Sequence, residues 1–169
     1  MIVRTAEVSD RDAILDCVRS AFATGGRDGA EEVGIVRAIW SLGAAPPELD
    51  LVACVNGAVV GHVLGSRGRL AGRESDVIGL APLAVMPGHQ RRGIGSGLVL
   101  ELIARAEVGG RPLMVVLGDP RYYGRFGFEP ASRLGISYPP LSPDDPHFQA
   151  RRLGRFDQSV RGEFTYSWE

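Results

Sequence analysis

The stretch formed by residues 83–99 reads LAVMPGHQRRGIGSGLV. Gly93, Gly95 and Gly97 follow two arginines, at the point where a run of helical apolar spacing begins. Glycine loses more conformational freedom on folding than any other residue, so its use there implies that something approaches bare backbone. Upstream, residues 75–85 read as a strand. Downstream, Ile94, Leu98, Leu102 and Ile103 keep the spacing of one helical face over residues 93–107. A strand, a glycine loop and a helix start make a geometry that collects anions. The first N–H groups of a helix have no partner within it and point outward together, and the helix dipole adds positive potential. Arg91 and Arg92 add full charges, and a pyrophosphate fits such a place. Taken alone, the glycines are also compatible with a plain tight turn.

Two common phosphate loops are excluded. The chain contains no lysine, so it cannot supply the Gly-Lys-Ser/Thr ending of a Walker loop. The dinucleotide fingerprint follows the first strand of a βαβ unit, whereas this loop follows the fourth predicted strand, and GIGSG lacks that fingerprint's final spacing.

Working outward, residues 2–6 read as a first strand. Ser9 with Asp12 reads as a helix cap, followed by a helix with Ala13, Ile14, Cys17, Val18, Ala21 and Phe22 on one face. A second helix, over 31–42, carries Val33, Val36, Ile39 and Trp40. Residues 51–55 and 58–66 are apolar runs joined by Asn56-Gly57, a strong hairpin signal. RGRLAGRES, residues 67–75, reads as a polar loop. Pro82 has no N–H to give a sheet, so the strand at 75–85 should bulge or part from a neighbour there. PLMVVL, residues 112–117, has the continuous apolarity of a strand buried on both faces. Asp119-Pro120 caps and opens a short helix ending near Phe126. Strands near 148–153 and 163–168 close the chain. The order βααβββαβα with a β-rich tail predicts a mixed α/β sheet in a single domain over 1–169.

Composition narrows the function. Hydrophobic residues make up 44% and charged residues 23% of the 169, which is ordinary for a globular protein. The net charge of −1 argues against a nucleic-acid or anionic-membrane coat. The N-terminus lacks an apolar signal core, so a cytoplasmic location is expected. Cys17 and Cys54 lie in apolar surroundings and read as buried thiols. His62, His89 and His147 are scattered, so no metal site is expected.

The segment LAVMPGHQRRGIGSGLV resembles the acyl-coenzyme A loop of the GNAT family of N-acetyltransferases. In that loop a strand ending Leu-Ala-Val leads to Pro87 and then to Gln/Arg-x-x-Gly-x-Gly at a helix start. Tyr123-x-x-x-Gly127-Phe128 resembles the family's closing motif, and the order of elements over 2–128 is the family's order. GLAPLAV and YYGRFGF are most similar to a branch of acetyltransferases whose substrates are mostly unassigned.

The resemblance implies a mostly antiparallel central sheet flanked by helices, with the fourth and fifth strands splayed around the cofactor arm. It implies acetyl-CoA as cofactor, held by Leu83, Ala84 and Val85 on the strand and by Gln90, Arg91, Arg92, Gly93, Ile94, Gly95 and Ser96 on the loop. It also implies that Tyr123 protonates the leaving thiolate. The chain departs from the family twice. Asp119 stands where many relatives have asparagine, leaving its contact with the pantetheine arm open. GLAPLAV also lacks the acid that several relatives use as a base. Asp28, Glu31 and Glu32 fall in the region that borders the acceptor site in relatives, although such a cluster more often simply caps a helix. The expected reaction is acetyl transfer to a primary amine of a small molecule or protein; the alternative is a non-catalytic acyl-CoA-binding module of the same fold. The β-rich tail offers strands for pairing with a second copy.

Overall fold

The computed structural model describes residues 1–169, which divide into two compact units. The first comprises residues 1–65, 81–102 and Trp168; the second comprises 66–80, 103–167 and Glu169. Three elements contribute residues to both: β3 (Ala58–Leu70), β4 (Arg73–Val85) and α3 (Ile94–Val108).

In the first unit, β1 (Ile2–Thr5) pairs antiparallel with β2 (Asp50–Val55), and β2 pairs antiparallel with β3. Asn56 and Gly57 both take positive φ, as a tight two-residue hairpin turn requires. Alternation along β2 sends its residues to opposite faces. Val52 and Cys54 pack with Ile14, Cys17 and Val18 of α1 (Arg11–Phe22) and Val33 and Val36 of α2 (Ala30–Leu42). On the other face Ala53 lies opposite Gly61, and α3 sits so close that a Cβ at Gly61 would stand 3.0 Å from both Ile94 and Leu98.

Two expectations for α1 need correction. The cap is not Ser9: Asp10 accepts the Glu7 N–H at 2.7 Å and a bidentate pair of hydrogen bonds from Arg4 at 2.6 and 2.9 Å. This closes a 3-10 turn over Val8–Asp10, and the helix begins only at Arg11. A carboxylate that captures a guanidinium as well as a backbone N–H outcompetes a serine hydroxyl. Ala13 is also exposed rather than part of the buried face.

In the second unit, β5 (Leu113–Leu117) pairs parallel with β4 only over Ile78–Leu80 against Met114–Val116, so the pairing ends two residues before Pro82. On its other side β5 pairs antiparallel with β8 (Phe148–Arg152), which in turn pairs with the two-residue β6 (Glu129–Pro130). β9 (Gly162–Tyr166) pairs antiparallel with Gly68–Leu70 of β3 and parallel with β7 (Ile136–Ser137). The tail strands are therefore engaged within their own chain. Mostly antiparallel pairing, with parallel steps at β4–β5 and β7–β9, packed against helices, is the mixed α/β fold expected.

RGRLAGRES is not a loop. It forms the distal half of the β3–β4 hairpin, turning at Ala71 (φ 50°) and Gly72 (φ 74°). Its outward side chains are solvated, with Arg69 paired to Glu74 at 3.1 Å, so their polarity hides the strands. The inward side is read from its glycines. A Cβ at Gly68 would stand 2.1 Å from the Phe164 ring, and one at Gly79 would stand 2.6 Å from Tyr166. Both positions leave room for aromatic rings of β9.

Candidate active site

In the first unit, the end of β4 leads through Met86, whose N–H donates to Val60 O at 2.9 Å, into a 3-10 turn over Pro87–His89. The Gln90 amide folds back and donates to Val85 O at 3.0 Å, fixing the loop to the strand that precedes it. Arg91 (φ 58°) and Gly93 (φ 80°) then take the left-handed conformation, which bends the chain sharply into α3. The first helical hydrogen bond runs from Gly97 N–H to Gly93 O at 2.9 Å. The N–H groups of Ile94, Gly95 and Ser96 therefore belong to the opening turn, where no intrahelical acceptor precedes them. Gln90, Arg91, Arg92 and Gly93 are exposed, and a Cβ at Gly93 would meet nothing within 4 Å. The result is an open, cationic helix start with bare backbone, suited to a diphosphate. Ile94 points into the core instead, and Ala84 packs against Cys17 and Val36, so both can contribute only main-chain groups. Leu83 and Val85 are half-buried on the opposite side of the strand. A Cβ at Gly97 would touch only the flexible end of Met1 at 3.2 Å.

Between the first two helices, the expected carboxylates are occupied. Asp28, one residue before the Gly29 cap, accepts the Ala30 N–H at 2.9 Å at the start of α2. Arg27 bridges Glu31, at 3.3 Å, and Glu32. Glu32 is buried, and its second oxygen has no hydrogen-bond partner.

In the second unit, β5 runs through Gly118 to Asp119, whose carboxylate accepts the Arg121 N–H at 2.8 Å and caps α4 (Pro120–Tyr123). The Arg121 guanidinium closes on the same carboxylate at 2.9 Å and holds Asp119 below the usual carboxylate range. The Tyr123 ring is buried edge-on against Tyr122 and Phe128. Burial pushes its hydroxyl well above the ordinary tyrosine value, so at neutral pH it is a protonated phenol able to donate. The ring occupies the space a side chain at Gly118 would need: a Cβ there would stand 2.3 Å from Tyr123 Cε2. Gly127 (φ 81°) ends the following turn, and a Cβ there would strike Arg151, which donates to Phe126 O at 2.7 Å. The Gly-Phe of the closing motif is thus a helix stop with an arginine locked across it.

One feature of this unit escaped the sequence reading. Leu117, Gly118, Asp119, Pro120 and Arg121 line an open cavity of about 760 Å³ together with Leu141, Asp145 and His147. The pattern Asp145-x-His147 was the available signal, but an isolated pair with that spacing is also an ordinary turn.

Comparison with known proteins identifies the family. The model of the acetyltransferase (GNAT) family matches residues 16–128. The chain is 38% identical over 117 residues to the uncharacterized N-acetyltransferase YhbS of Escherichia coli, covering 68% of this chain and 67% of that protein. It is 35% identical over 105 residues to the uncharacterized N-acetyltransferase YjhQ of the same organism, where the match takes in 61% of this chain and 58% of that protein. Among solved structures, E. coli YhbS in complex with CoA superposes with a TM-score of 0.86 at 30% identity, covering 98% of this chain and 88% of that one. A GNAT-family acetyltransferase from Brucella melitensis in complex with acetyl-CoA superposes at 0.80, also at 30% identity, over 98% and 94%. The chain belongs to the GNAT acetyltransferase family.

Proposed function

We propose that the protein is an acetyl-CoA-dependent N-acetyltransferase acting on a primary amine. The observation that carries this reading is the exposed helix start at Gly93, with its open backbone and flanking arginines, in a chain whose similar solved structures hold CoA and acetyl-CoA. The opening N–H groups of α3, with Arg91 and Arg92, bind the pyrophosphate. Main-chain groups of Leu83 and Val85 pair with the pantetheine arm. The Val85 carbonyl already accepts from Gln90, which ties the arm's strand to the phosphate loop. Holding the thioester beside the acceptor removes much of the entropic barrier of a bimolecular step. The amine attacks the thioester carbon, the C–S bond breaks, and Tyr123, held protonated by burial, gives its proton to the departing sulfur.

The lack of an acid in the GLAPLAV stretch of β4 favours the second reading, a module that binds acyl-CoA without turnover. The two are separated by following coenzyme A release over a panel of amines that includes spermidine, tyramine, amino-acid amides and a peptide N-terminus. The acetyltransferase reading expects release with at least one amine, and a Tyr123→Phe variant slowed about 10²-fold or more with unchanged acetyl-CoA affinity. Tight binding of acetyl-CoA without release on any amine supports the module.

A further inference from the structure

Acetyl transfer needs a group to take a proton from the amine nitrogen, and the strand position that supplies it in several relatives is empty of acids. We infer that His147, oriented by Asp145, is that base; the inference rests on the acetyltransferase reading above. The Asp145 carboxylate accepts the main-chain N–H of His147 at 2.9 Å and its ring Nδ1 at 2.9 Å. These contacts hold Asp145 below the usual carboxylate range, so it is an anion and only accepts. In the neutral ring the hydrogen therefore sits at Nδ1, and Nε2 is left with a lone pair. His147 is largely exposed and lines the cavity of about 760 Å³.

The backbone of His147 is built into the fold. Its carbonyl accepts the Gly118 N–H at 2.9 Å. Gln149, fully buried, donates to Gly118 O at 3.0 Å. Gly118 is also the residue against which the Tyr123 ring rests. One residue thus fixes both the group that gives a proton to sulfur and the group that takes one from nitrogen. The other charged groups facing His147 are Asp119 and Arg121, at the start of α4, and they largely neutralise each other. The cavity's remaining walls, Leu117, Pro120 and Leu141, are apolar and suit the carbon skeleton of an amine.

In the reaction, the amine nitrogen forms a bond to the thioester carbon and becomes cationic. His147 Nε2 takes one proton from it. The carbonyl re-forms as the C–S bond breaks, its electron pair leaves on sulfur, and sulfur takes the Tyr123 proton. His147 then loses a proton to solvent and Tyr123 regains one, so the net transfer is one proton from nitrogen to sulfur.

The test compares wild type, His147→Asn and Asp145→Asn over the amine panel from pH 5.5 to 9.5, with acetyl-CoA affinity measured alongside. The wild-type kcat/KM should rise with pH through a break that depends on His147. His147→Asn should lose that break and fall about 10²-fold or more at neutral pH, with acetyl-CoA affinity unchanged. Asp145→Asn should lower kcat/KM as well, with acetyl-CoA affinity unchanged, because the ring loses the carboxylate that orients it. A turning-over His147→Asn variant that keeps the wild-type rate and pH profile overturns the assignment and leaves the acetyltransferase reading standing. Acetyl-CoA binding without turnover in the wild type overturns both. Nitrogen-15 spectra of the histidine rings give an activity-independent check: a neutral His147 carrying its hydrogen on Nε2 overturns the assignment outright.

Discussion

Replacing Gly118 with alanine tests the geometry on which the proposed chemistry depends. The new Cβ would stand 2.3 Å from Tyr123 Cε2 and 2.8 Å from Cδ2. Carbon atoms reach their optimal separation at about 3.5–4.0 Å, so the ring must withdraw by roughly 1 Å or the backbone must shift as far. The ring cannot simply swing away, because Tyr122 and Phe128 hold it edge-on at 5.0 and 5.8 Å between centroids. Overpacking of this kind costs about 1–3 kcal/mol of stability, and a displacement of roughly 1 Å at a reacting group costs about 10²-fold in rate. Gly118→Ala should therefore lower the urea midpoint and slow coenzyme A release together, with acetyl-CoA affinity little changed. Tyr123→Phe should slow release without moving the midpoint, since it removes only the donor and keeps the ring. Stopped-flow release of coenzyme A and urea melts on the same samples separate the two effects. A Gly118→Ala protein with wild-type stability and rate would refute the packing and with it the role drawn for Tyr123.

Three further outcomes follow from single sites. Gly93→Ala adds a side chain in open space but at φ 80°, so it should cost about 1–2 kcal/mol of backbone strain and weaken acetyl-CoA binding about tenfold by calorimetry. Asp50→Ala removes the acceptor shared by Trp40 Nε1 at 2.8 Å and the fully buried His62 Nε2 at 2.8 Å, and should cost about 2–4 kcal/mol in urea unfolding. The acid limb of stability should depend on Asp10, whose pKa is lowered chiefly by its hydrogen bonds from Arg4. A carboxylate depressed on folding stabilises above its unfolded value, near 3.9, and loses that stabilisation as pH falls through the folded value. Asp10→Asn should thus be less stable than wild type at pH 6, and the two should converge only as the pH falls through the lowered folded value of Asp10. The gap should be no more than about 1 kcal/mol, because the Arg4 side chain is 37% exposed.

The elements that the sequence made legible are those whose signal is local. The Asn56-Gly57 turn, the buried run at β5 and the Asp119-Pro120 helix start each depend on residues within a few positions of one another, and each stands where expected. The distal β3–β4 hairpin was hidden because its outward residues are charged and its turn uses Ala71, a poor left-handed residue. Its inward signal lay far along the chain, in rings of Phe164 and Tyr166 that only the closing strand supplies. The first helix start was misplaced for a similar reason: Asp10 is claimed by Arg4, across the chain from the helix it precedes. His147 failed to stand out because its meaning comes from a wall of β5 and α4 residues around it, not from its neighbours in sequence.

The glycines of the family motifs separate on physical grounds into two kinds. Gly93 takes a left-handed backbone and has empty space where a side chain would go, which is what a ligand-facing position needs. Gly79 and Gly118 have ordinary backbones, and the space beside them is filled by the protein's own aromatic rings. Gly79, in the stretch leading to Leu83–Val85, makes room for Tyr166; Gly118, leading to the closing motif, makes room for Tyr123. A motif read as a string treats these glycines alike, yet substitution should separate them by assay. Loss at Gly93 falls mainly on cofactor affinity, whereas loss at Gly79 or Gly118 falls on stability and on the alignment of rings. On the proposed reading, the pyrophosphate is held at one helix start. On the same reading, the placing of Tyr123 depends instead on the packing of its ring against Gly118, Tyr122 and Phe128, while the rings of the closing strand fill the space beside Gly68 and Gly79.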